Sequence, residues 1–77
     1  MTPTHAVLNV PDISCNHCKM AIENAIGALG GVELVAVDVA DKSVAIDFDE
    51  AAVTLETIEA AVREEGYEVA GHAVFGG

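Results

Sequence analysis

Residues 4–29 read THAVLNVPDISCNHCKMAIENAIGAL, and the fold turns on a change of period within them. From Thr4 to Val10 the pattern alternates, with Ala6, Leu8 and Val10 on one face and His5, Val7 and Asn9 on the other. A period of two is that of a strand. Pro11 stops it, because proline has no N–H for a ladder. From Asn16 to about Ala28 the period lengthens. Cys18, Ala21, Ile22, Ala25, Ile26 and Leu29 recur at helical spacing and make one apolar stripe, while Lys19, Glu23 and Asn24 take the wet side. Ser14, Cys15 and Asn16 are all candidates for the cap. Gly27 weakens the last turn, and Gly30-Gly31 ends the helix.

The second half repeats this grammar with a hairpin in front. Val32 to Asp38 is a strand with Val35 and Val37 inward. Turn formers fill Asp38 to Lys42, and Ser43 to Asp49 is a third strand with Val44, Ile46 and Phe48 on one face. Thr54 caps a second helix, Glu56 suits its dipole, Leu55, Ile58, Ala61 and Val62 form its buried stripe, and Gly66 ends it. Tyr67, Val69 and Ala73 to Phe75 supply a last strand, and Gly71, His72, Gly76 and Gly77 suggest a frayed tail. The order strand, helix, strand, strand, helix, strand predicts an α+β, ferredoxin-like βαββαβ fold. Two helices would cover one face of a four-stranded antiparallel sheet, in a single domain spanning residues 1–77.

Composition narrows the function. Thirteen Asp and Glu oppose three Lys and Arg, for a formal net charge of -10, so no basic stripe exists to neutralise nucleic-acid phosphates. The same charge disfavours an anionic membrane surface, and the apolar runs are too short to span a bilayer. The acidic residues are spread from Asp12 to Glu68; they would either guide a basic partner or keep the protein soluble. The N-terminal MTPTHAVLNV carries no charged leader before a long apolar stretch, which leads us to expect a cytoplasmic protein.

Both cysteines of the chain are spent on Cys15-Asn16-His17-Cys18. A pair so spaced, at a loop entering a helix, can hold a metal, exchange disulfides or form half of a larger zinc site. Free N–H groups at a helix start stabilise nearby negative charge, and Lys19 adds a positive one, so thiolates are favoured. Thiolates serve both metal binding and redox work. Structural zinc wants four ligands, and beyond the two sulfurs the chain offers only His5, His17, His72 and carboxylates. Two thiolates suffice for a soft monovalent ion, which points to copper(I). An under-coordinated, exposed site also lets a partner thiolate join before an original ligand leaves.

The stretch Val10-Pro11-Asp12-Ile13-Ser14-Cys15-Asn16-His17-Cys18 resembles the metal loop of the heavy-metal-associated domain family, whose loop reads Gly-Met-Thr-Cys-x-x-Cys. The resemblance runs on through Gly31-Val32, Val35, Val37, Val44, Ile46 and Phe48 to Glu65-Gly66-Tyr67. It implies a βαββαβ fold and two metal ligands, Cys15 and Cys18. The family's loop methionine corresponds to Ile13, an apolar residue able to fill the same place. The family's glycine corresponds to Asp12, which either strains a positive φ or caps the loop by accepting a backbone N–H. Tyr67 matches the bacterial form of the late loop, where its hydroxyl would hydrogen-bond a cysteine sulfur or screen the metal from water. His17 and Lys19 are candidates for tuning the site or touching a partner.

This resemblance implies a copper(I) metallochaperone rather than an enzyme, with Cu(+) passed to the metal-binding domain of a copper P-type ATPase or to a copper-responsive regulator. The start at Met1 fits a free protein, against the alternative of a domain cut from such an ATPase. A zinc, mercury or other soft-metal carrier of the same fold is the second reading, kept alive by Asp12. A dithiol oxidoreductase is the third; it lacks a proline after the cysteines, since Pro3 and Pro11 both precede them. Two exposed pairs could also bridge one metal and form a homodimer.

Overall fold

The computed structural model describes residues 3–75. Its elements are β1 (Thr4–Asn9), α1 (Asn16–Gly27), β2 (Val32–Asp38), β3 (Ser43–Phe48), α2 (Leu55–Glu64) and β4 (Gly71–Phe75). The strands form one sheet in the order β2-β3-β1-β4, and every neighbouring pair is antiparallel. This is the expected α+β arrangement. The alternation in β1 makes it so: Thr4, Ala6 and Leu8 are buried while His5 and Val7 are half-exposed. Val44, Ile46 and Phe48 do the same in β3.

The buried face of the sheet meets both helices in one core. Ile22 and Ile26 of α1 and Ile58 and Val62 of α2 pack with Ala6, Leu8, Val37, Val44, Ile46 and Phe48. Each fully buried isoleucine or valine contributes about 1.5–3 kcal/mol relative to exposure. Thr54 caps α2 as its sequence position suggests, its hydroxyl accepting from Thr57 N–H at 3.2 Å. No helix among the described residues is long and apolar enough to cross a membrane.

Two turns set the positions that matter for the site. At the end of α2, Gly66 takes φ +92, its N–H donates to the Arg63 carbonyl at 2.9 Å, and Tyr67 N–H donates to the Val62 carbonyl at 3.3 Å. That pair of bonds is a Schellman ending, and it turns the chain back with Tyr67 as its first residue. At the end of the β2–β3 turn, Lys42 takes φ +54.

The last strand departs from expectation. Tyr67 and Val69 do not join the ladder. They lie in the connection from α2, half-buried against the core, because the Schellman turn spends Tyr67 on reversing the chain. Pairing begins only when Ala70 N–H reaches the Asn9 carbonyl at 2.8 Å. Gly71 and His72, expected in a frayed tail, are instead paired with Asn9 and Leu8. Gly76 and Gly77 lie outside the described residues.

Candidate metal centre

Cys15 is the residue that caps α1, in extended backbone with φ -157 and ψ 175. Its carbonyl accepts the first helical bond, from Lys19 N–H at 3.2 Å. Its side chain makes no capping hydrogen bond, so the first-turn N–H groups remain available at the end of the helix that favours negative charge. Cys18 lies one turn on. The helical step therefore brings the two sulfurs to the same corner, 3.7 Å apart. Both thiols are free. The gap exceeds the roughly 2.05 Å of a disulfide and is within reach of one ion bonded to both sulfurs at about 2.3 Å each.

The surroundings favour a thiolate at Cys18. The Tyr67 hydroxyl is the largest influence, followed by the Ser14 backbone, with smaller help from the Cys15 thiol and the Ser14 hydroxyl; partial desolvation opposes them. Together they hold the Cys18 thiol down at about 6, against an ordinary 9.0. The effect is reciprocal. A phenol that donates to a thiolate resists losing its own proton, and Tyr67 is pushed up to about 12. The Ser14 hydroxyl lies 4.0 Å from the Cys18 sulfur.

Asp12 does not sit in the left-handed region, where Lys42 is the sole non-glycine among the described residues. It caps, as the second of the two expectations has it, but over a long distance in sequence: its carboxylate accepts from Glu68 N–H at 3.1 Å. This bond ties the metal loop to the segment carrying Tyr67. Ile13 is fully buried and belongs to the core, holding the loop from below.

The other candidates are not gathered at the sulfurs. His17 is exposed on the first turn of α1. Lys19 lines a shallow hollow with Asn16, Asp38 and Ser43 and is not among the groups acting on Cys18. The distant histidines are engaged elsewhere. His5 meets Asp47 at 2.6 Å on the open face of the sheet, and His72 meets Glu59 at 2.9 Å. Among the described residues no three His, Cys, Asp or Glu side chains converge into a metal-holding group. The chain by itself thus brings together two sulfurs.

Sequence reasoning misses Lys42. Its ammonium donates to the Ile13 carbonyl at 3.0 Å and to the Pro11 carbonyl at 3.4 Å. The partners are about thirty positions apart, and no local pattern announces such a contact.

Comparison with known proteins agrees with this geometry. The profile of the heavy-metal-associated domain matches residues 7–68, from β1 past Tyr67. The chain is 40% identical over 63 residues to the copper chaperone CopZ of Staphylococcus haemolyticus, which takes in 82% of this chain and 93% of that protein. Among solved structures it is similar to a CopZ metallochaperone, with a TM-score of 0.84 and 32% identity over 86% of this chain and 98% of that one. It shares the fold of a copper binding domain from HMA7, a P-type ATPase, with a TM-score of 0.80 and 22% identity over 95% of this chain and 93% of that one. On the profile match and the shared βαββαβ frame, this chain belongs to the heavy-metal-associated domain family.

Proposed function

We propose that the protein is a copper(I) carrier that takes the ion between Cys15 and Cys18 and hands it to another protein. The observation that carries this reading is the pair of free sulfurs 3.7 Å apart at the start of α1, with no third metal-binding side chain beside them among the described residues. Two soft thiolates satisfy copper(I), whereas structural zinc asks for four ligands. Similarity to copper chaperones supports the same ion. The ion is cargo and no bond in a substrate is made, so the protein is not an enzyme.

Tyr67 and the Ser14 backbone act behind the pair by keeping Cys18 charged and ready to bind. Asp12 and Ile13 fix the loop, one through Glu68 N–H and one through the core. His17, exposed between the two cysteines, is placed to meet a partner. The partner we infer is the metal-binding domain of a copper P-type ATPase, a class in which the same fold occurs. Its own cysteines could enter the open side of the site. We assign the protein to the cytoplasm, where a free cysteine pair stays reduced.

The test is an anaerobic copper(I) titration of the reduced protein, repeated with zinc as competitor. One copper(I) per chain is expected, held against zinc and lost in Cys15→Ser and in Cys18→Ser. A reduced protein that ignores copper(I), or prefers zinc, overturns the reading. Gel filtration of the loaded protein distinguishes a one-chain site from an ion shared by two copies. Mixing it with an apo ATPase domain and following the metal tests the partner.

A further inference from the structure

Lys42 touches the loop that leads into Cys15 at three points. Its carbonyl accepts from Val10 N–H at 2.9 Å, and its ammonium donates to the carbonyls of Ile13 and Pro11 at 3.0 and 3.4 Å. It is also the one described non-glycine residue with a positive φ, at +54. L-residues adopt that conformation reluctantly, and the surrounding structure must hold it. A glycine here would make the turn more easily, so the side chain is what the position gains from lysine.

The peptide unit between Ile13 and Ser14 shows what that side chain does. No described peptide bond is cis. The carbonyl and amide of this unit therefore point to opposite sides. On one side the Ile13 oxygen is held by the Lys42 ammonium. On the other is the Ser14 N–H; the Ser14 backbone is among the groups that hold the Cys18 thiol down, and the Ser14 hydroxyl lies 4.0 Å from that sulfur. A backbone group that favours the negative form of a sulfur is a donor, so the Ser14 group concerned is the N–H. Ammonium, carbonyl, amide and sulfur thus follow one another across a single peptide unit, and the ammonium's grip on the carbonyl polarises the amide on the sulfur's side. If this unit were turned over, a carbonyl oxygen would face the sulfur in place of an N–H.

We infer that Lys42 is a positioning residue for the copper(I) site: its ammonium grips the Ile13 carbonyl and so turns the Ser14 N–H toward the Cys18 sulfur. The inference rests on the reading of the chain as a copper(I) carrier. It gives one of the three Lys and Arg of a chain with thirteen acidic residues a specific task, reached from the far end of the β2–β3 hairpin.

The experiment uses the full chain and three variants. Lys42→Met removes the charge and keeps most of the stem. Lys42→Gly removes the side chain and its two bonds to the loop while relieving the strain of a φ of +54. Lys42→Arg keeps the charge. Copper(I) affinity is read by competition with a colorimetric copper(I) chelator, and the Ser14 amide proton is followed by NMR in the reduced apoprotein. Roughly tenfold weaker copper(I) binding is expected in Lys42→Met and Lys42→Gly, as for other residues that hold a ligand from behind. The Ser14 amide proton should move upfield in both, and Lys42→Arg should restore affinity and resonance together. Parental affinity with an unmoved Ser14 resonance in Lys42→Gly overturns the inference, and so does a loss confined to Lys42→Met that follows its melting temperature. A parent protein that fails to bind copper(I) overturns the carrier reading instead, while the Ser14 resonance still decides the role of Lys42.

Discussion

Replacing Tyr67 by phenylalanine should move the titration of Cys18 upward. The Schellman turn at Gly66 delivers Tyr67 to the Cys18 sulfur, and its hydroxyl is the largest of the influences that hold this thiol at about 6 instead of 9.0. At pH 7 a thiol titrating near 6 is about nine-tenths thiolate, whereas one titrating at 9.0 is about one-hundredth thiolate. Tyr67→Phe keeps the ring in its half-buried place and removes only the donor. The Ser14 backbone and hydroxyl remain, so the midpoint should rise without reaching 9.0. The thiolate fraction at pH 7 should then fall. The assay is ultraviolet thiolate absorbance against pH, made in a Cys15→Ser background so that one thiol is seen. The sign carries over to stability. Folding favours the Cys18 thiolate, so that contribution is complete above 9.0 and is lost as pH falls toward about 6; the parent should lose more stability across this window than Tyr67→Phe. Tyr67 works in the opposite sense, its contribution present below 10.0 and lost as pH rises through about 12. A midpoint in Tyr67→Phe/Cys15→Ser no higher than in Cys15→Ser alone would refute the assignment of the hydroxyl as the main cause.

Two further outcomes follow from the same geometry. Asp12→Ala removes the acceptor for Glu68 N–H and frees the Tyr67 segment from the metal loop; it should cost about 1 kcal/mol in chemical denaturation and raise the Cys18 midpoint in the same direction as Tyr67→Phe. Unchanged titration would mean that the Schellman turn alone places Tyr67. Gly31→Ala should be more damaging, because a Cβ at Gly31 would lie 2.6 Å from the Ala52 Cβ and 3.1 Å from Val53 Cγ1, on a residue with φ +98. A loss of about 1–3 kcal/mol is expected, measured by denaturation, with copper(I) stoichiometry unchanged since the site lies at the other end of α1.

What could be read from the residues alone was what is local. The switch from a period of two at Ala6, Leu8 and Val10 to helical spacing at Ile22 and Ile26 depends on near neighbours, and it carried the element order. The Cys15–Cys18 spacing is local too, and the first turn of α1 brings those sulfurs together. Position 67 shows where such reading fails. Tyr67 and Val69 alternate as a strand would, yet β4 starts at Gly71, because a turn stabilised by bonds back to Arg63 and Val62 comes first. Long-range polar contacts were equally hidden. Asp12 could be expected to cap something, but its partner, Glu68 N–H, lies 56 positions away. His5 and His72 look free in the sequence and are in fact paired with Asp47 and Glu59, and among the described residues neither joins a group of three metal-binding side chains.

The arrangement separates holding the ion from giving it up. The groups that favour the thiolate are Tyr67 from the end of α2 and Ser14 from the loop, and Ile13 anchors that loop in the core. They are fastened to parts of the fold that metal exchange has no need to disturb, namely the Schellman turn, the Lys42 hairpin turn and the buried face of the sheet. In front, Cys15 is exposed, and no third His, Cys, Asp or Glu side chain joins the two sulfurs among the described residues. An incoming thiolate can therefore add to the ion without displacing a resident ligand first, and the frame that keeps Cys18 charged stays in place while it leaves. A closed four-ligand site on the same scaffold would bind more firmly and release more slowly, which is why two sulfurs with a braced back and an open front suit a carrier better than a store.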